Sequence, residues 1–114
     1  MRRLYKIVLV LLMCSVGSFA FATSSVTGLV TNVRVDATGH GMVFFSVTIS
    51  GSPSCITSAY NNALAFDANT VGGKNFLALA MTAKASGGAI TAFGLGTCNI
   101  YGGFAEDFNY GVSN

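Results

Sequence analysis

The chain has no tryptophan, one proline, one histidine and few charged residues. Charged side chains make up 9% of its 114 residues. The single histidine, His40, leaves no Ser-His-acid pattern for a hydrolase, and there is no metal-ligand cluster. Gly72-Gly73-Lys74 lacks the rest of a phosphate-binding loop. We therefore expect a protein that is not an enzyme and that needs no cofactor.

Positive charge is also scarce once the first residues are set aside. Half of the basic residues, Arg2, Arg3 and Lys6, stand at the start of the chain. Residues 23–114 contain three cations and four carboxylates, which gives a formal net charge of −1. A nucleic-acid binder needs a basic stripe to replace the counterions of the phosphate backbone. The composition therefore excludes nucleic acid as a partner.

The first 22 residues have the pattern of an export signal. The basic start is followed by an apolar run, Ile7 to Cys14, that is too short to span a bilayer. Ala20-Phe21-Ala22 then places small residues at the two positions that a signal peptidase reads. We predict a cleavable signal peptide over residues 1–22, cleavage before Thr23, one domain over residues 23–114, and a secreted or periplasmic location.

Two cysteines, Cys55 and Cys98, remain after the signal peptide and its Cys14 are removed. Thiols of an exported protein meet an oxidising compartment, so we predict that these two form a disulfide. Closing a loop of this length constrains the unfolded chain by about 4 kcal/mol. Two cysteines and one histidine fall short of a closed zinc site, and no Cys-x-x-Cys redox pair is present.

The first half of the domain has the pattern of a β-hairpin. Residues 26–35 are rich in β-branched side chains, and residues 42–50 alternate between apolar and polar positions. The apolar positions of the second segment are Val43, Phe45, Val47 and Ile49. The segment between them, residues 36–41, contains turn-forming residues, so we predict an antiparallel pair.

One helix follows a short third strand at residues 63–67. Residues 74–86 are rich in helix formers, with apolar residues at three- and four-residue spacing. Asn69 or Thr70 is the expected N-cap, and Gly87-Gly88 is the expected stop. We predict that one face of the helix is buried against Val43, Phe45 and Val47; that face consists of Phe76, Leu79, Ala80 and Ala83.

Two more strands are predicted after the helix, at residues 89–95 and 107–112. The result is a mainly β fold with one helix, in the order three strands, helix, two strands. This is the order of an OB-fold-like five-stranded antiparallel barrel with the helix between strands 3 and 4. An open sheet covered by one helix is the alternative.

Several short segments resemble the B subunits of the subtilase-cytotoxin and pertussis-like toxin group. They are the first strand Val26-Thr27-Gly28-Leu29-Val30, the helix that ends at Gly87-Gly88, and the next strand with a late cysteine. The segment 96–102 is similar to small uncharacterised exported bacterial proteins. The resemblance implies an OB-fold subunit that assembles into a ring of five. Such rings bind cell-surface glycans, often sialylated, and deliver a separate A subunit.

Three residues are candidates for glycan binding. The resemblance implies that Thr27 takes the place of a sugar-contacting serine and that Phe93 falls near the position of a tyrosine. Tyr101, with Tyr60 and Phe104, is predicted from its aromatic ring to stack on a sugar. Structural alternatives stay open, because Thr27 also suits a strand and the aromatic residues also suit a cover for the disulfide or the ends of the sheet. The loops and the cysteine layout differ from those of the toxin group.

The low charge of the domain favours a homo-oligomer, because an uncharged, apolar surface is typical of a subunit interface. A polar, uncharged surface rich in Ser, Thr, Asn and Gly is the alternative.

The sequence leaves two candidate functions. The first is a ring-forming, glycan-binding B subunit, and the second is a non-catalytic envelope or periplasmic module that binds or inhibits another protein.

Overall fold

The computed structural model describes residues 24–114, so the predicted signal peptide lies outside the described residues. In these residues five strands and one α-helix follow one another, and a single 3₁₀ turn at Ser58–Tyr60 precedes the third strand. They are β1 (Ser25–Val35), β2 (His40–Phe45), β3 (Ala63–Asp67), α1 (Val71–Ser86), β4 (Ala89–Gly94) and β5 (Glu106–Ser113). The fold is mainly β with one helix between β3 and β4, as predicted. Among the described residues no helix is long and apolar enough to cross a membrane.

The five strands form a sheet that closes on itself in the order β1-β2-β3-β5-β4. The long strand β1 makes this closure possible because it pairs with two neighbours. Its first half pairs with β4, from Ser25↔Phe93 to Leu29↔Ala89, and its second half pairs with β2. The register with β2 shifts between Val30 and Asn32. Such an irregularity increases the bend of a strand, which a closed sheet needs.

The prediction that all neighbouring strands are antiparallel is wrong at one place. Strands β3 and β5 run parallel, through the pairs Leu64↔Glu106 and Ala65↔Asp107. The other four neighbouring pairs are antiparallel. An odd number of strands cannot alternate in direction all the way around a ring, so at least one pair must be parallel. Closure of the ring therefore requires a parallel pair, and in this fold that pair is β3–β5.

The predicted hairpin is present, but its second strand is shorter than expected. Strand β2 ends at Phe45, and Val47 is 45% exposed, so the expected burial of Val47 is wrong. The backbone N–H of Ser46 still donates to the carbonyl of Leu29, but the N–H of Leu29 donates to the Ser46 hydroxyl instead of to a backbone carbonyl. A side chain that bonds the backbone in this way replaces a ladder hydrogen bond. Ile49 is buried again, next to an isolated bridge between Ser25 and Ser50.

Helix α1 begins three residues earlier than predicted, at Val71. Thr70 is the N-cap, and its Oγ1 accepts the backbone N–H of Gly73 at 3.0 Å. The glycine at position 73 is required, since a Cβ there would collide with the carbonyl of Asp67. Gly87 ends the helix in the left-handed conformation, with φ of 71°, as the glycine pair predicted.

The apolar face of α1 fills the inside of the closed sheet. Phe76, Ala80 and Ala83 are buried, whereas Leu79 is only partly buried because it lies at the margin of the core. The ring of Phe76 stacks on Phe108 with centroids 3.6 Å apart and meets Phe66 edge-on at 6.0 Å. Phe76 therefore connects the helix to both strands that form the parallel pair.

We predict that Phe76→Ala lowers the free energy of unfolding by about 3–5 kcal/mol, because it leaves a cavity at the centre of the core. The matched control is Met81→Ala on the same helix, where the side chain is 52% exposed. That change should alter stability by less than about 0.5 kcal/mol. Urea denaturation of both variants measures the difference, and equal losses would contradict this description of the core.

Candidate functional site

The three candidate glycan-binding residues lie in two places. Thr27 and Phe93 both point outward from the sheet formed by β1, β4 and β5. Tyr101 lies in the loop between β4 and β5 and contacts Asp36, which follows β1. Asp36 is nine positions after Thr27 along the chain. The seven residue-to-residue steps from Thr27 to Arg34 in β1 alone span about 23 Å. Tyr101 is therefore not part of the surface that contains the other two.

The outward side chains of β1, β4 and β5 form one continuous surface, which we name the Thr27 face. Pairing in the sheet sets Thr27 opposite Thr91, and Thr91 opposite Val112. It also sets Ser25 opposite Phe93, and Phe93 opposite Tyr110. Alternate residues of a strand point to the same side, so these rows are adjacent on one face. The Thr27 face consists of Thr27, Leu29, Thr91, Phe93, Tyr110, Val112 and Asn114.

A row of uncharged polar groups crosses this face. The hydroxyls of Thr27 and Thr91 share a hydrogen bond with an O···O distance of 2.8 Å. The Nδ2 group of Asn114 donates to Oγ1 of Thr91 at 3.0 Å. A hydroxyl has one donor and two acceptor sites, and an amide has two of each. The row therefore keeps donors and acceptors for a ligand after its internal hydrogen bonds are made.

Aromatic rings stand beside this polar row. Phe93 and Tyr110 stack with ring centroids 4.4 Å apart and planes at 16° to each other. Each ring uses one side for this stack, and Tyr110 remains 51% exposed. Leu29 and Val112 add exposed apolar surface to the same face. The Thr27 face thus combines flat apolar groups with neutral hydrogen-bonding groups, and none of its seven side chains is charged.

Tyr101 belongs to a second group of side chains, which we name the Arg34–Tyr101 cluster. It consists of Arg34, Asp36, His40 and Tyr101. The Arg34 Nε group donates to Oδ1 of Asp36 at 2.8 Å, and the Tyr101 hydroxyl donates to the other carboxylate oxygen. The guanidinium carbon of Arg34 lies 5.4 Å from the centre of the Tyr101 ring, within cation–π distance. His40 meets the same ring edge-on at 6.1 Å.

The hydrogen bonds of this cluster shift the pKa values of its members. Burial, and then the hydrogen bond to Asp36, raise the pKa of Tyr101 to about 12. The hydrogen bond from Arg34, followed by that from Tyr101, lowers the pKa of the Asp36 carboxyl. The phenol is therefore a donor and the carboxylate an acceptor at neutral pH. The cluster satisfies its own polar groups and connects the β1–β2 turn to the β4–β5 loop.

A buried carboxylate and the disulfide hold the loop that carries Tyr101. Asp107 accepts the backbone N–H groups of Asn99 and Ile100 at 2.9 and 3.0 Å, and the hydroxyl of Thr97 at 2.6 Å. Cys98 in this loop is bonded to Cys55, so the predicted disulfide is confirmed. The position of Tyr101 is thus set by both the strand that follows the loop and the covalent bond.

The aromatic residues expected near Tyr101 are arranged as a cover rather than as a flat platform. Tyr60 meets Phe104 edge-on at 6.2 Å and is tilted against Phe44 at 6.3 Å. Tyr60 and Tyr101 pack against a small second core of Met42, Ala63, Ala65 and Ala105. This arrangement agrees with the alternative that the aromatic rings close one side of the sheet. Phe104 is the one of these rings that remains half exposed.

The remaining candidates have structural partners. His40 lies 3.8 Å from an oxygen of Asp67 and beside Tyr101. Glu106 and Asp107 are both buried and accept hydrogen bonds from different groups. Residues 24–114 contain no group of three or more histidine, cysteine or acidic side chains placed to hold a metal ion.

Several residues of the Thr27 face and of the Arg34–Tyr101 cluster could not be identified from the sequence. Thr91, Tyr110 and Asn114 belong to the Thr27 face because of the strand pairing, which the sequence does not specify. The alternation of Phe108, Tyr110 and Val112 with polar residues indicates a strand, but it does not continue in the structure. A register shift opposite Phe93 and Gly94 places Phe108 against the core and Tyr110 and Val112 on the outer face. Arg34 and Asp36 stand two positions apart at a predicted turn, and this spacing alone did not indicate their contact with Tyr101.

Comparisons with protein-family models, with curated proteins and with solved structures find no match to this chain. The resemblance to toxin B subunits therefore stays a prediction. The candidate site is defined by geometry alone.

We predict that Tyr101 ionises well above the ordinary range of a tyrosine, because its pKa is raised from 10.0 to about 12 in the folded state. A group with a raised folded-state pKa contributes stability below its unfolded-state pKa and loses that contribution as the pH rises through the folded-state value. Ultraviolet titration should show a tyrosine step near this pKa that disappears in Tyr101→Phe. Persistence of that step in the variant would show that another tyrosine produces it.

Proposed function

We propose that this protein is an exported, non-catalytic glycan-binding subunit and that it binds sugar through the Thr27 face. The observation that carries the proposal is the stacked Phe93–Tyr110 pair beside the Thr27–Thr91–Asn114 row. The two aromatic rings supply apolar surface, and the three polar side chains supply neutral donors and acceptors. The disulfide supports export, since disulfides persist in oxidising compartments.

A sugar ring matches this combination of groups. Its C–H groups form an apolar patch that packs on an aromatic ring, and its hydroxyls need donors and acceptors at the edge of that patch. The rings and the hydroxyl row of the Thr27 face stand on adjacent rows of one sheet. Because the sheet fixes their spacing, little conformational entropy would be lost on binding.

The absence of charge on the Thr27 face narrows the class of glycan that we expect it to bind. A carboxylated sugar gains most of its specific binding from a cation or a charge-assisted hydrogen bond. The nearest cation on β1 is Arg34, about 23 Å along the strand from Thr27, and it is already paired with Asp36. We therefore propose a neutral glycan rather than a sialylated one.

The OB fold is the architecture that we propose for this domain. Its support is the ring order β1-β2-β3-β5-β4 together with a helix between β3 and β4. In OB folds the β2–β3 face and the β1–β2 and β4–β5 loops beside it are a common ligand site. Here these two loops are joined by the bonds among Arg34, Asp36 and Tyr101. These groups are mutually satisfied, so we assign Tyr101 a positioning role and place the ligand on the Thr27 face.

Assembly into a ring, as in toxin B subunits that deliver an A subunit, is the second part of the proposal. Nine large apolar side chains are exposed in the described part of the chain: Leu29, Val35, Val47, Val71, Met81, Leu95, Phe104, Tyr110 and Val112. Few charges lie between them, because residues 24–114 contain three cations and four carboxylates. Exposed apolar groups on a weakly charged surface favour contact with other subunits.

A protein-binding envelope module is the second candidate function. Leu29 and Val112 on the Thr27 face are each about half exposed, and aromatic residues such as Tyr110 are enriched in protein interfaces. A protein partner would cover the same surface, and the module would then inhibit or position that partner. The two candidates differ in whether free sugars compete for the face.

We predict that the mature protein binds neutral glycans on an array more strongly than their sialylated counterparts. Thr27→Ala should weaken binding about fivefold, because it removes one hydrogen-bonding group from the row. Phe93→Ala should weaken it further by removing a stacking surface. The control is Thr31→Ala, an exposed threonine of β1 about 13 Å along the strand from Thr27. Retention of sugar binding in both Thr27→Ala and Phe93→Ala would contradict the proposed site.

We predict a solution mass near that of a pentamer for the oxidised mature protein, measured by light scattering. The exposed apolar side chains provide the contact surface for the ring. A monomeric mass across the concentration range would exclude the ring and favour the envelope module. Glycan binding by a monomer would separate the two parts of the proposal.

A further inference from the structure

Among the described residues, one edge of β5 has no neighbouring strand beyond the seam with β3. Strand β3 pairs with β5 only at Glu106 and Asp107, whereas β4 pairs with the other side of β5 as far as Ser113. Residues 108–113 of β5 therefore have a strand partner on one side only. An unpaired strand edge presents free backbone N–H and C=O groups with which another chain can pair.

The ladder between β4 and β5 determines which backbone groups lie at this edge. The N–H of Asn114 donates to the carbonyl of Ala89, the first residue of β4, at 3.2 Å. Backbone groups of successive strand residues point to opposite sides, so those of Val112 point towards β4 as well. The N–H and C=O of Gly111 and Ser113 consequently point away from β4. A second strand can form hydrogen bonds with these two residues.

The segment from Tyr110 to Ser113 lacks the side chains that protect an edge strand from pairing. Natural edges commonly carry a lysine, another charged side chain or a proline, and this segment contains none of them. The register shift between β4 and β5 lies before Tyr110, so the ladder is regular over this segment. Three of its four residues are exposed, and Gly111 is partly buried. The edge is therefore regular, accessible and uncharged.

The side of α1 next to this edge is uncharged as well. A crevice of about 190 Å³ lies between the end of β5 and α1, and Leu79 and Ser86 line its helix side. Lys74 and Lys84 are each five positions from Leu79, which is about 140° around the helix. Both cations of α1 thus point away from the edge. A second copy of this edge meets no like charge, and two antiparallel strands offer each other the same donors and acceptors.

We propose that the edge of β5 pairs with the same edge of a second copy of this chain, antiparallel and about a two-fold axis. The register that uses all the edge groups places Gly111 opposite Ser113 of the partner subunit. It also places Val112 opposite Val112 of the partner subunit, and such pairs of β-branched side chains stabilise a sheet. Neighbours in a ring meet through two different surfaces, so this two-fold contact is separate from the ring contacts and doubles the mass of a monomer or of a ring.

The pairing extends the Thr27 face across the two-fold axis. The row of Thr27, Thr91 and Val112 continues into the same row of the partner subunit. Neighbouring strands are about 4.8 Å apart, so the two copies of Thr91 lie about 14 Å from each other. Two sugar sites on one surface favour a branched glycan over a single sugar. This consequence rests on the proposed function, whereas the pairing itself does not.

Light scattering in the absence of sugar tests the pairing, so its outcome is independent of glycan binding. At millimolar concentration the natural mature protein should have twice the mass of Ser113→Pro, since proline removes the edge N–H but no hydrogen bond to β4. The contact is small, so the mass should fall on dilution. Ser113→Ala keeps the N–H and should behave like the natural protein. Equal masses of the natural protein and Ser113→Pro overturn the proposal.

A cross-linking measurement needs no proline, so it stands even if Ser113→Pro fails to fold. In the proposed register the two Val112 residues are a non-hydrogen-bonded pair with Cα atoms about 4.5 Å apart, which a disulfide can span. Leu29→Cys is the matched control, because Leu29 is 48% exposed against 49% for Val112 and β4 separates it from β5. Val112→Cys should form the intermolecular disulfide at least about tenfold faster than Leu29→Cys. Equal rates overturn the proposal.

Discussion

The fold depends on a short parallel seam at which β5 meets β3. Only two residue pairs join these strands, Leu64↔Glu106 and Ala65↔Asp107. The same two residues of β5 are the buried acids of residues 24–114. Glu106 reaches back to Ser24 at the start of β1, while Asp107 holds the turn that precedes β5. The seam thus closes the sheet with few backbone contacts, and carboxylate hydrogen bonds fix the chain on either side of it. A buried carboxylate is stable only if its oxygens accept hydrogen bonds. Mispairing of β3 and β5 would leave these oxygens without donors, so the closed sheet is favoured over an open one.

Closure of the sheet determines where the Thr27 face and the Arg34–Tyr101 cluster lie. The turn held by Asp107 carries both Cys98 and Tyr101. Through Tyr101 it contacts Asp36 at the far end of β1, so the β1–β2 turn and the β4–β5 loop are positioned together. After the seam, β5 pairs with β4 and brings Tyr110 beside Phe93. The Thr27 face is therefore assembled by strand pairing, whereas the Arg34–Tyr101 cluster is assembled by loop contacts.

Local features of the fold were predictable from sequence, and features that depend on long-range pairing were not. The third strand, the Thr70 cap and the glycine stop of the helix have signals within a few residues of each other. The parallel β3–β5 pair has no such signal, although a ring of five strands requires one. Val47 illustrates the limit of periodicity, because alternation predicted its burial, whereas β2 ends at Phe45 and the Val47 side chain is exposed. Thr27 and Phe93 were candidate residues from the sequence, and the strand pairing of the structure places them on one face. Tyr101 could not be separated from them without knowledge of which loop contacts which strand.

The charged side chains differ in their distribution between the Thr27 face and the rest of the domain. Three of the four carboxylates in residues 24–114 form hydrogen bonds that hold turns or the seam, namely Asp67, Glu106 and Asp107. The fourth, Asp36, is occupied by Arg34 and Tyr101. The acidic groups are thus used to build the fold, and one of the three cations is used with them. The Thr27 face is left with hydroxyl, amide, aromatic and aliphatic groups. Under the proposed function, this face would select a ligand by shape and hydrogen bonding rather than by net charge, and the affinity should accordingly depend little on salt.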